Sequence, residues 1–189
     1  MEQSIIIIEF AKLLHKGQFR RNGITEYIHH PIHVASILKC FTNDFNLIHA
    51  AYLHDTLEDC DVSIDEILQI SNPDICKLVI EVTSVSKKSD GNRKTRKLID
   101  NEFLGSISEK GQLLKLADIY SNLLDILYDS DESFKQLYFS EKKETLLYLT
   151  KVTNHPLYEM VTKLINKHLK EKHNLKSNVA QNIQNIDLK

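Results

Sequence analysis

Ala50-Ala51-Tyr52-Leu53-His54-Asp55-Thr56-Leu57-Glu58-Asp59 sets one imidazole and three carboxylates directly behind an apolar run. Read as one helix from Asn46 to Glu58, the stretch stacks His54 over Glu58 and Asp55 over Asp59, each pair one turn apart. Neighbouring side chains on a helix diverge by about 100°, so His54 and Asp55 can share an ion only over the edge between them. Burying such a cluster without a cation is costly, because unpaired carboxylates resist leaving water. The stretch is therefore a candidate metal site that needs further ligands from elsewhere in the chain.

Two other segments offer them. In Tyr27-Ile28-His29-His30-Pro31-Ile32-His33, Pro31 suits the first helical position and places His30 at the cap. Ile32, Ala35, Ile37 and Leu38 would then be the buried face. A histidine at a helix start can simply bond backbone or water, yet three are more than a cap requires, and His33 rivals His30. Gln112 to Leu127 carries a broad apolar face of Leu113, Leu116, Ala117, Tyr120, Leu123, Leu124 and Leu127. Asp118, Asn122 and Asp125 border it. An Asp inside a leucine-rich helix is unfavourable unless it is hydrogen-bonded or ligates a cation.

The remaining chain reads as helices. Residues 4 to 16 form an amphipathic one with Ile5, Ile8, Phe10 and Leu13 as its apolar positions. Ser63 and Glu66 make a capping box for a short helix to about Ile70. Asn72-Pro73-Asp74 opens another, with Ile75, Leu78, Val79 and Val82 at helical spacing. Helices are expected over 133–151 and 155–170. Gly17 to Gly23 is a glycine-bracketed basic loop with Arg20 in it. Ser84 to Arg93 lacks periodicity and runs into Lys94-Thr95-Arg96-Lys97. That charge run suits either a solvated face or phosphate binding at a loop–helix junction. Residues 171–189 read as a polar, frayed tail, leaving one domain over 1–170.

Composition supports an all-α fold: five Gly and three Pro in 189 residues, with 42% hydrophobic and 26% charged residues. A formal net charge of -2 argues against a nucleic-acid coat or a polybasic membrane anchor. Cys40, Cys60 and Cys76 include no CxxC pair and read as reduced thiols. Ile5 to Ile8 is too short a run to span a membrane, so a cytoplasmic protein is expected. Nothing in the sequence specifies an oligomeric state.

His30, the His54-Asp55 doublet and Asp118 together resemble the H…HD…D pattern of HD-domain phosphohydrolases, whose fold is an all-α helical bundle. Gln18-Phe19-Arg20, Tyr27 to Ala35, Ala50 to Asp59, Glu81-Val82-Thr83 and Leu114 to Asp118 with Asn122 are similar, in order, to the hydrolase domain of the RelA/SpoT family and its stand-alone small alarmone hydrolases. The resemblance implies His30, His54, Asp55 and Asp118 as ligands of a divalent ion, usually manganese. It implies Glu58 and Asp59 as the catalytic pair serving the attacking water. Arg20 and Asn122 would contact the nucleotide, and Lys87, Lys88, Arg93 and Arg96 its phosphates. The implied reaction is hydrolysis of ppGpp and pppGpp at the ribose 3′-oxygen, releasing pyrophosphate. Another nucleotide, such as the 2′-phosphate of NADPH, or a non-catalytic nucleotide-binding role, are the alternatives. Ile119, Leu123 and Leu124 stand where the family usually carries basic residues nearby.

Overall fold

The computed structural model describes residues 2–128 and 131–169, and the expected tail lies outside them. Regular structure among the described residues is helical, apart from one bridge between Phe19 and Glu26 that closes the Gly17–Gly23 loop. In chain order the helices are α1 (Glu2–Leu14), α2 (His29–Lys39), α3 (Phe45–Leu53), α4 (Thr56–Asp59), α5 (Ile64–Ile70), α6 (Pro73–Val82), α7 (Arg93–Ser106), α8 (Glu109–Leu127) and α9 (Glu132–Leu146). A final helix, α10, covers 156–169.

Side-chain caps fix most of the starts. Asp44, Asn72, Asn92, Ser108 and Asp131 each accept from a backbone N–H in the first turn of the helix they precede. Ser63 and Glu66 form the expected capping box. Each such cap is worth about 0.5–2 kcal/mol. Ser108 explains why α8 begins at Glu109 rather than Gln112.

The centre of the molecule is α3, buried from Leu47 through Leu53 on every face. A helix apolar all round must be enclosed. It packs against α1, α2, α6 and α8. Ala50 and Ala51, both fully buried, keep its surface thin enough for these neighbours to approach. Ile75, Leu78, Val79 and Val82 of α6 are all buried, at the spacing the sequence shows.

Four expectations need correction. The fully buried residues of α1 are Ile7 and Ala11; Ile8 and Phe10 pack partly buried against the core, while Ile5 and Leu13 are 61% and 68% exposed. α2 begins at His29, two residues earlier than a proline-led start would give, so His30 lies inside the first turn and Pro31 is its third residue. The helix over Asn46 to Glu58 is broken at His54-Asp55. The helix expected over 133–151 ends at Leu146 and gives way to a 3-10 turn at Thr150–Val152.

Candidate metal centre

The break in the 46–58 segment is local chemistry. Thr56 Oγ1 donates to the Leu53 carbonyl at 2.7 Å, and His54 Nδ1 donates to the Ala51 carbonyl at 2.8 Å. Side-chain bonds of this kind compete with the helical ladder and bend it. Asp55, at φ -97 and ψ -4, then opens α4. The bend turns both His54 and Asp55 toward α2 and α8, where one straight helix would hold the two side chains about 100° apart.

Four side chains converge there. His30 Nε2 lies 3.1 Å from Asp118 Oδ1 and 3.5 Å from Asp55 Oδ2. His54 Nε2 lies 3.1 Å from Asp55 Oδ1 and 3.8 Å from Asp118 Oδ1. Both imidazoles are almost wholly buried, at 3% and 2% exposure. Donor atoms of His30, His54 and Asp55 sit within 4.8 Å of one another, a spacing suited to one metal ion.

The surrounding hydrogen bonds orient these donors. Because His54 Nδ1 donates to Ala51 O, Nε2 faces the carboxylates, the ring orientation that metal-bound histidines adopt. That Nε2 is buried and makes no hydrogen bond. A buried imidazole nitrogen that makes no hydrogen bond and faces two carboxylates fits a divalent cation. Ser121 Oγ bridges His30 Nδ1 at 3.1 Å and His33 Nδ1 at 2.9 Å, so His33 supports its rival and does not face the cluster, while His29 is exposed. Tyr27 donates to Asp55 Oδ2 at 2.7 Å. Burial and the Asp55 charge push the Tyr27 phenol far up, so it keeps that proton.

Electrostatics point the same way. Burial pulls the His54 imidazole down, but Asp55 and Asp118 outweigh it and raise it to about 9. For His30 burial wins, and the ring is held below its usual value. Burial would raise Asp118, yet Lys115, 2.9 Å away, and the two imidazoles hold it well below the carboxylate range. The cluster thus draws positive charge to its centre.

Glu58 and Asp59 are exposed at the rim. Glu58 Oε1 accepts the Ser84 backbone N–H at 2.5 Å, and Gln18 Nε2 donates to the Asp59 carbonyl at 2.7 Å. Arg20 is 15% exposed and forks onto Asp125 Oδ2 at 3.0 and 2.6 Å, reaching Asn122 Oδ1 at 2.6 Å as well. Asn122 in turn donates to Asp118 Oδ1 at 2.5 Å, so Arg20 is linked to the centre through one amide. The basic loop is less engaged. Lys87 and Lys88 are exposed, Arg93 pairs with Glu141 at 2.6 and 2.9 Å, and Arg96 donates to the Gly91 carbonyl at 2.8 Å.

Sequence reasoning missed Tyr27, Lys115 and Ser121 as supports. Lys115 was findable from its i,i+3 spacing to Asp118. Ser121 carries no such signal.

The geometry has known counterparts. A family model described as an HD domain matches residues 8–104. The fruit-fly protein named guanosine-3′,5′-bis(diphosphate) 3′-pyrophosphohydrolase MESH1 is 34% identical over 68% of this chain and 72% of its own length. The human MESH1 is 36% identical over 62% of this chain and 66% of its own. An Aquifex aeolicus enzyme named for the same activity is 37% identical over 73% of this chain but only 19% of its own length. A solved structure, described as a metazoan ortholog of SpoT that hydrolyzes ppGpp, superposes with a TM-score of 0.79 at 28% identity, over 88% of this chain and 96% of that one. The chain belongs to the HD-domain family and, within it, to the group that contains the MESH1 proteins.

Proposed function

We propose that the chain is a metal-dependent phosphohydrolase that cleaves ppGpp and pppGpp at the ribose 3′-oxygen and releases pyrophosphate. The observation that carries this reading is the convergence of the buried His30 and His54 Nε2 atoms on Asp55 and Asp118, in a chain whose relatives are named for that reaction. His30, His54, Asp55 and Asp118 would hold the ion. Two imidazoles and two carboxylates suit a borderline-to-hard divalent cation, and manganese is our choice among these. When bound, it supplies Lewis-acid polarisation of a phosphoryl oxygen and acidifies water.

The protein's own groups perform the proton transfers. Glu58, steadied by the Ser84 N–H, takes a proton from the attacking water. The water oxygen bonds to the phosphorus next to the ribose, the P–O3′ bond breaks, and Asp59 orients the water or delivers a proton to the departing 3′-oxygen. Arg20, rigid in its fork, meets the nucleotide together with Asn122. Lys87 and Lys88 screen phosphate charge, and Arg93 and Arg96 contribute on leaving their present partners.

The same reading makes residues 1–170 one domain of a cytoplasmic enzyme acting on a small nucleotide, with no nucleic-acid or membrane partner. Among the described residues no helix is long and apolar enough to cross a membrane. The test is turnover of ppGpp, pppGpp and NADPH by manganese-loaded protein, with pyrophosphate and orthophosphate measured separately. Pyrophosphate from the guanosine compounds is expected. Orthophosphate from NADPH alone would replace the substrate assignment.

A further inference from the structure

Beside the rim carboxylate Glu58 lies a second feature, which shares Ser84 and Lys115 with the metal centre's surroundings but adds a lysine, Lys142, that no motif includes. The segment leaving α6 and helices α7, α8 and α9 enclose a cleft of about 40 Å³, walled by Ser84, Lys97, Asn101, Lys115, Lys142 and Thr145. Three helices each contribute one lysine to it.

The charge there is unbalanced. Lys142 is only 9% exposed, and among the described residues its ammonium has no ion pair or hydrogen bond; it faces the Tyr138 ring at 5.0 Å. Lys97, half-buried, likewise has no ion pair among the described residues. Lys115 is committed to Asp118. The one acid in the wall, Asp100, is saturated by the loop: it accepts from Val85 N at 3.1 Å, Ser86 N at 2.9 Å and Ser86 Oγ at 2.9 Å. An ammonium recessed in a narrow cleft without a counter-ion is unfavourable, and two further amines make it more so. Burial, then Lys115 and Lys97, push Lys142 down to about 7, while Asp118 and Glu141 act the other way. Near neutrality an arriving anion would meet an amine ready to take up a proton.

Position and size narrow the ligand. Ser84 holds Glu58 and Lys115 holds Asp118, so the cleft abuts the proposed catalytic centre. It is far below the roughly 300 Å³ at which small-molecule pockets begin, so it can take an oxyanion but no nucleoside.

We propose that this cleft is an oxyanion subsite for the distal phosphate of the pyrophosphoryl group, with Lys142, Lys97 and Lys115 as its cationic walls. Which molecule presents that phosphate rests on the alarmone reading above; the subsite itself does not. It selects a 3′-pyrophosphoryl ester over a monophosphate ester, which has no second phosphate to fill it.

The test is calorimetric titration of inorganic pyrophosphate and orthophosphate into manganese-loaded protein, at fixed free metal, for the wild type, Lys142→Met and Lys97→Met. Pyrophosphate should bind the wild type at least tenfold more tightly than orthophosphate. Lys142→Met should erase that advantage while metal content is unchanged. Lys97→Met, at a more exposed position, gives the same readout if Lys142→Met does not fold. Equal pyrophosphate affinity in the wild type and the folded variants, or none in the wild type, would overturn the subsite. If pyrophosphate binding depends on Lys142 but ppGpp is not hydrolysed, the subsite stands and the alarmone reading falls. If ppGpp is hydrolysed with KM unchanged in both variants, the reverse holds.

Discussion

Glu58 separates binding from chemistry at the scale of single residues. Its carboxylate lies outside the four-donor cluster and is held by one backbone N–H. Glu58→Gln keeps the shape and removes the basicity, so metal content by elemental analysis should match the wild type while kcat falls by about 10²–10⁴-fold. Tyr27 acts through another residue: Tyr27→Phe deletes only the hydrogen bond to Asp55 and should weaken manganese affinity by roughly 10–100-fold, the usual cost of losing such a support. Metal titration reads this directly, and saturating metal should restore turnover. Lys142 gives a pH test. Its folded value of about 7 lies below that of the unfolded chain, so between these values the unfolded state holds the extra proton. Stability should therefore rise as pH climbs above about 7, by at most about 1.4 kcal/mol per unit. Lys142→Met should lose that rise in urea melts.

At the scale of elements, the bend between α3 and α4 matters most. Thr56, fully buried, holds it through the Leu53 carbonyl. Thr56→Val removes the hydroxyl and keeps the volume; we expect a loss of about 1 kcal/mol in denaturant unfolding, accompanied by weaker metal binding. Ser63→Ala, at the distant cap of α5, should cost a similar about 0.5–2 kcal/mol without touching metal affinity. The bend also shows where sequence reading stops. Helical spacing finds the buried stripes of α6 and the caps at Ser63 and Asn72, because those depend on neighbours within one or two turns. His54 and Asp55 are legible as a doublet for the same reason. The break is not, since Thr56 fits a straight helix equally well, and nothing in the sequence shows that its hydroxyl bonds the Leu53 carbonyl while the His54 ring bonds that of Ala51. Lys142 is illegible for a stronger reason: its neighbours Lys97 and Lys115 come from other helices, and nothing near it in the chain marks it as buried.

Across the whole molecule, the proposed donors arise from α2, the α3–α4 bend and α8, three parts of the core that already pack on one another. An ion bound by all three ties them together and should stabilise the folded state alone. Manganese at 100 times its Kd should add about 2.7 kcal/mol, seen as a higher Tm that chelation reverses. Residues 8–104, matched by the family model, end before Asp118, so the last donor is supplied by a helix beyond the matched span. The centre is complete only when α8 returns to the core.

The central claim, that water attacks phosphorus and pyrophosphate leaves as a unit, is tested most directly by ppGpp turnover in ¹⁸O-water with mass analysis of both products. One ¹⁸O in pyrophosphate and none in GDP is the expected result. Label in GDP, or orthophosphate as the first product, would contradict it.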